Sequence, residues 1–321
     1  MKNYCEMNRP FVRDGFVFNL HEDLQPLYRL NPFSTEQLGI DSSNQFVDSI
    51  DKTFSQRYEG RPYVYTANGR QAIREALRLL NLTSDDCVTI LTPTNNYYIS
   101  SCVTNEINVF CQWSRYIEPH TKVIFVNHEF GVPYPNLLEL KKIGLPIIED
   151  CCYSFYSATK ENMMGCVGDY IVYSFAKYFP VQFGGLLVGP AEQQLPMQLL
   201  DGNTELFLKK EIERLYPQAE AIAAQRYANH AVLIEKLAPF GILPRFNFAT
   251  EGVPGVFMFV PPASWHLPTL KDFLWSCGIH CSVFYGEHAF FIPVHQGLSD
   301  TALEYFTVCI SQFANKQNNS L

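Results

Sequence analysis

Between about Tyr63 and Gly189 the chain alternates short runs that are apolar on both faces with stretches whose apolar residues recur at helical spacing. "GRQAIREALRLL" (Gly69 to Leu80), "YYISSCVTNE" and "PNLLELKKIG" have the helical period, while "CVTILTP", "KVIFVN", "LPIIED", "DYIVYSF" and "GLLVG" read as strands. Short, doubly apolar strands separated by amphipathic helices predict an α/β fold with a mostly parallel central sheet covered by helices on both faces. In such sheets ligands bind beyond the carboxyl ends of the strands.

After Gly189 a polar segment, "GPAEQQLPMQLLDGNTE", leads into a pattern that predicts one long helix from about Leu206 to Leu237. "GVFMFVPP", "HCSVFY" and "HAFFIP" then read as strands, with helices at "LPTLKDFLWSCG" and "SDTALEYFTVCISQF". The expected division is a large domain with an N-terminal arm, 1–203, and a smaller C-terminal α/β domain, 204–321. The polar ends, Met1 to Pro10 and "NKQNNSL", are expected to be disordered.

A chain of 321 residues with 47% hydrophobic and 17% charged side chains can bury a large core. The net charge of −8 comes without any lysine or arginine block, which argues against nucleic acid or an anionic membrane as partner. The N-terminus lacks the apolar stretch of a signal peptide, and no segment has the run of about 18 apolar residues needed to span a bilayer. A cytoplasmic protein is expected. Most of the cysteines sit in apolar segments as small hydrophobes, and the "CGIHC" cluster (Cys277, His280, Cys281) stands alone, so no metal site is expected. His128, His288 and His295, near strand ends, are read as hydrogen-bonded structural histidines.

Candidate chemistry gathers at the predicted strand ends. Lys177 lies in the aromatic run "YSFAKYFPVQFGG"; burial disfavours an ammonium, so its pKa is expected to fall and its amine to become a nucleophile, unless it snorkels to water. Asp150 ends "LPIIED", where a carboxylate needs a cation or donors. Ser174 precedes Lys177 by three residues and can share one side of a turn with it. Gly69, Arg70 and Gln71 open a helix whose first-turn amides suit a phosphate. In "TPTNNYY", Tyr97 or Tyr98 is placed to lie on a planar ring. Each has a bland reading as a cap, an ion pair or packing. Together they suit pyridoxal 5′-phosphate, which needs an amine, an acid at its ring nitrogen, donors for its phosphate and an aromatic lid. Lys177 would then move the substrate Cα proton as general base and acid.

In this order the segments "ANGRQAIREAL", "TPTNNY", "HEFGVP", "IIEDCC" and "GDYIVYSFAKYFPVQFGG" resemble the DegT/DnrJ/StrS family of sugar aminotransferases, and "FFIPVHQGLSDTALEYF" resembles the family's ending. The resemblance implies a fold type I pyridoxal phosphate enzyme, a homodimer, that aminates a keto-sugar, nucleotide-linked or another small carbonyl compound, with glutamate or glutamine as donor. It implies Lys177 as the Schiff-base lysine, Asp150 at the pyridine nitrogen, Ser174 and the Gly69, Arg70 and Gln71 turn at the phosphate, Tyr97 on the ring and Tyr153 near the 3′ oxygen. The alternatives are other Cα chemistry such as dehydration, or a noncatalytic relative that binds the cofactor or a sugar ligand. The chain departs from the family in the three-residue serine to lysine interval, where the family has five. It also departs in Tyr153, where the family carries glutamine or histidine, and in Arg70 and Gln71, where threonine or serine is usual. The stretch after "TNEINVFCQWSRYIEPHTK" is compressed, and the region between Gly189 and the long helix lacks the family's glycine-asparagine-arginine segment.

Overall fold

The computed structural model of this chain describes residues 11–13, 16–18, 27–33, 48–158, 164–248 and 251–318. Residues 1–10 and 319–321, expected to be disordered, lie outside that description. The first four residues of "NKQNNSL" are instead the end of the last helix, Asp300–Asn318. Most of the expected N-terminal arm also lies outside the described residues. Within its described part, β1 (Phe11–Arg13) and β2 (Phe16–Phe18) pair antiparallel.

The main sheet has seven strands: β3 (Tyr63–Thr66), β4 (Cys87–Leu91), β5 (Gln112–Ser114), β6 (Thr121–Asn127), β7 (Ile147–Asp150), β8 (Tyr170–Ser174) and β9 (Gly185–Val188). Their order is β3-β9-β8-β7-β6-β4-β5, and β9 alone runs against its neighbours. The alternation of short buried strands with helices predicts the parallel part. The reversal of β9 follows from length, since only the ten residues 175–184 separate it from β8, and a parallel return needs a crossover of about a dozen or more.

All residues of β7 and β8 are buried, and alternate side chains feed opposite cores. On one face Val172 and Ile148 join Ile73, Ala76 and Leu77 of the helix Gly69–Leu79. On the other, Ile171 and Tyr173 join Phe54, Phe155 and Phe175, together with Leu208 and Ile212 of the helix Gly202–Leu215. The expected single helix from 206 to 237 is in fact two, Gly202–Leu215 and Ala219–Leu237, broken at Tyr216–Gln218. Pro217 has no N–H for the helical ladder and its ring crowds the preceding turn.

By its own contacts the chain forms two compact units, 32–223 with 248–253, and 1–31 with 224–247 and 254–321. The sequence boundary at 203/204 falls at the start of the helix Gly202–Leu215, whose apolar face lies in the core of the first unit. The second unit contains an antiparallel sheet of β10 (Leu243–Pro244), β11 (Phe257–Val260), β12 (Ser282–Phe284) and β13 (Ala289–Ile292) in the order β10-β11-β13-β12. Its core joins Phe257 and Phe290 to Leu270, Phe306 and Ile310 of the helices Leu267–Ser276 and Asp300–Asn318.

His295 is a structural element of this second unit. Its Nε2–H donates to the Arg29 carbonyl at 3.0 Å, and its Nδ1 accepts from the Gly297 amide at 3.1 Å. That arrangement requires the neutral ring. Burial, with the Arg226 charge second, pulls its pKa from 6.5 down to about 3. Unfolded, the ring binds a proton near pH 6.5, so the stability it contributes is complete above that value and drains away as the pH falls from there toward 3. Urea unfolding should therefore lose stability between pH 7 and 5, with a slope approaching about 1.4 kcal/mol per pH unit. His295→Gln should be less stable at pH 7 but flatter over the same range; parallel pH profiles would contradict the assignment.

Candidate functional site

Three neighbouring parallel strands end side by side in polar residues, Asn127 on β6, Asp150 on β7 and Ser174 on β8. Parallel pairing puts these carboxyl ends on one edge of the sheet. The buried Asp150 accepts from Asn127 Nδ2 at 3.1 Å and from the Cys152 amide at 3.0 Å. Burial pushes its carboxyl above the usual range, against the pull of Cys152 and of the His128 and Lys177 charges. Asp150 and Lys177 thus lie within each other's electrostatic reach.

Lys177 is held by the aromatic run that looked so inhospitable to it. The short helical turn Phe175–Tyr178 starts where β8 ends and is closed by the Phe179 amide on the Phe175 carbonyl at 2.7 Å. Phe175, Tyr178 and Phe179 are buried and anchor the turn, which leaves Ala176 and Lys177 half-buried. The Lys177 Nζ donates to Tyr153 Oη at 3.1 Å and lies 4.8 Å from the centre of the Tyr153 ring. The expected fall in its pKa is corrected here. Tyr153 raises it first, burial opposes, and the net shift is upward. An electron-rich partner has outweighed desolvation.

Gly69 faces the same edge. A Cβ there would lie 2.6 Å from Cys152 Sγ and 3.3 Å from the Ser174 Cβ, so only glycine fits without a shift. Asn68 caps the helix by accepting from the Gln71 amide at 3.1 Å, and the Gln71 side chain returns the bond to the Ala67 amide at 2.7 Å. The pair is a variant of the capping box, with the return bond made to the residue before the N-cap. Gln71 is thereby committed to the cap, its amide included, and the helix ladder leaves the amides of Gly69 and Arg70 as the first-turn donors. The Arg70 residue itself is exposed. Ser174 is buried and makes no capping bond to the turn it starts.

Of the two candidate tyrosines, Tyr97 is 67% exposed and pairs through its hydroxyl with that of Tyr116 at 2.9 Å. The cause is local: the Tyr98 amide bonds to Asn96 Oδ1 at 2.6 Å, and Asn95 has positive φ, so this polar turn swings successive rings apart. Tyr98 stacks on Phe130 with centroids 6.4 Å apart, and Phe130 in turn meets Tyr153 at 5.0 Å. Phe130 takes the left-handed conformation, φ 50°, to do so. Sequence reasoning did not single out Asn127, Cys152 or Phe130. A polar residue ending a buried strand was the available signal for the first; the other two carry no sequence signal of their own.

His128 and Glu149 are buried together and bonded at 3.2 Å, with His128 Nδ1 accepting from the Tyr134 amide. Glu149 also accepts from the amides of Gly165, Val167 and Gly168. Burial raises its pKa, but His128 and these amides outweigh it and hold the carboxylate below its usual range. Glu149 thus organises the loop before β8, and with Cys151 it makes one of two potential ligand trios among the described residues, the other being Cys87, Glu118 and His120. His288, in the second unit, bonds the Pro262 carbonyl through its Nε2 at 3.0 Å.

The model of the DegT/DnrJ/EryC1/StrS aminotransferase family matches residues 107–194, the span that carries β6 to β9, Asp150, Ser174 and Lys177. Over that span the chain is similar to this family. Aminotransferases of this family use pyridoxal phosphate, and the match supports a pyridoxal-phosphate-dependent aminotransferase. Similar solved structures include the aminotransferase TlmJ from Streptoalloteichus hindustanus, with TM-score 0.71 and 15% identity over 84% of this chain and 91% of that one. The pyridoxal phosphate form of the putative sugar aminotransferase Spr1654 from Streptococcus pneumoniae matches with TM-score 0.63 and 16% identity, over 88% of this chain and 94% of that one. DesV from S. venezuelae, in complex with a ketimine intermediate, matches with TM-score 0.62 and 16% identity over 84% and 89%. At these identities the likeness carries the fold, that of type I pyridoxal phosphate enzymes. No curated protein matches the chain. No described helix is long and apolar enough to cross a membrane.

A methyl at position 69 tests the cradle. Gly69→Ala should weaken retention of pyridoxal phosphate about tenfold, a loss of about 1.4 kcal/mol, read by titrating cofactor-stripped protein and following absorbance. Unchanged affinity would remove the helix start from the binding surface.

Proposed function

We propose that this chain transfers an amino group from glutamate or glutamine to the carbonyl of a keto-sugar, nucleotide-linked or free, as a cytoplasmic homodimer. The observation that carries the reading is the placing of a half-buried lysine and a buried aspartate at the ends of adjacent strands, beside a glycine-floored helix start. Bound there, pyridoxal phosphate supplies an electron-poor ring that takes up the electrons left when the substrate Cα loses a proton.

The chain's residues supply the rest. Asp150, steadied by Asn127 and the Cys152 amide, would bind the ring N–H. The Ser174 hydroxyl with the amides of Gly69 and Arg70 would hold the phosphate, the helix dipole adding to the attraction. Lys177 would anchor the aldehyde carbon and then hold and move the proton at the substrate Cα. Tyr98 takes the place expected of Tyr97, and with Phe130 and Tyr153 it forms an aromatic row that would shield the reacting atoms from water. The sugar substrate is supported by the likeness to Spr1654, a putative sugar aminotransferase. The homodimer rests on the family resemblance. The cytoplasmic placement accords with nine free thiols among the described residues.

Purified protein should show a visible absorption band that borohydride bleaches and that Lys177→Ala abolishes. Glutamate should convert that band to the amine form of the cofactor. A protein without the band, even with added pyridoxal phosphate, would overturn the reading. A band that no amino donor converts would leave cofactor binding without transamination.

Asp150→Asn should keep the band but slow the glutamate half-reaction by about a hundredfold or more, because a neutral partner weakens the electron sink. A half-reaction rate within threefold of wild type would remove Asp150 from that role.

A further inference from the structure

We propose that Tyr153 is a positioning residue for Lys177, gripping its ammonium through the phenol oxygen and the ring face and so setting how much free amine the site offers. The inference rests on the cofactor reading above for its consequence, but not for its geometry. Nζ is 3.1 Å from Tyr153 Oη and 4.8 Å from the ring centroid. Both contacts favour the cation, the first as a charge-assisted hydrogen bond and the second through the ring quadrupole.

The grip is built in advance. Tyr153 is fixed by Phe130 at 5.0 Å, and Phe130 by Tyr98 at 6.4 Å, so the aromatic row presents the phenol in one place. The other titratable groups that face Lys177 are Asp150 at the end of β7, Cys152 in the turn after it and Cys102 on the helix Ser101–Ile107. None of these three has a ring to set beneath the amine. The direction of the Lys177 shift, upward with Tyr153 its largest cause, agrees with the geometry.

The consequence is chemical. An aldehyde is attacked by the free base, and every proton that leaves Nζ for solvent must first give up the phenol and the ring. The charge of the lysine is thereby coupled to Tyr153.

Competitive acetylation of the full-length protein, stripped of cofactor, reads that coupling directly. Trace acetic anhydride is added across pH 7 to 11, and labelling of Lys177 is compared by mass spectrometry with that of Lys122, which is exposed. The pH midpoint of Lys177 should fall in Tyr153→Phe, with labelling at pH 9 about tenfold faster than in wild type, the size of effect that a hydrogen bond to a charged group carries. Tyr153→Gln, which keeps an acceptor oxygen and loses the ring, should lie between the two. An unchanged midpoint in Tyr153→Phe overturns the proposal, whatever the variant's melting temperature. Should that variant fail to fold, Tyr153→Gln decides alone: a lower midpoint supports the grip and an unchanged one ends it. Because no cofactor is present, a failure here leaves the borohydride result standing, and a missing band leaves this result standing.

Discussion

A carboxylate buried at the end of a strand is the constraint around which the rest of the site is arranged. Asp150 cannot stay charged on its own in that place, because desolvation favours its protonated form. Its neighbours answer that cost in turn: Asn127 from β6, the Cys152 amide from the following turn, and the charge of Lys177 from the end of β8. The parallel register of β6, β7 and β8 makes this possible by ending all three strands on one edge. A cationic N–H laid against Asp150 completes the set, which is why the arrangement suits a pyridinium better than it suits a neutral ligand.

Much of this was legible in the sequence because strand ends are legible. "LPIIED" and "DYIVYSF" are apolar to their last residues, so a polar side chain there must lie at the sheet's edge, and Asp150 and Ser174 do. The lysine was legible for a similar reason, as a charge that an aromatic run would otherwise exclude. The direction of its pKa shift was not. Burial alone predicts a fall, and only the partner's position, a tyrosine 24 residues away in the chain, reverses the sign.

What escaped the sequence depended on contacts between distant segments or on turn geometry. β3 and β5 were missed because their hydrophobic patterns are short, and β5 lies at the sheet edge with Gln112 and Trp113 exposed. The choice between Tyr97 and Tyr98 turned on a single Asn96 bond to the backbone. The helix predicted through Pro217 broke there for a reason the sequence did contain. A periodic pattern on both sides outweighed the proline in the reading, though one missing N–H outweighs the pattern in the fold.

The turn that carries the lysine connects these points. With Lys177 three residues after Ser174, it sits on a single helical turn whose flanking aromatics, Phe175, Tyr178 and Phe179, are all buried. A turn so anchored has little freedom to redirect its one half-buried charge. The partner must therefore come to the lysine, and Tyr153, steadied through Phe130 in its left-handed conformation, is where it comes from. The left-handed Phe130, the single helical turn and Tyr153 thus act together: the aromatic row lies where Lys177 reaches.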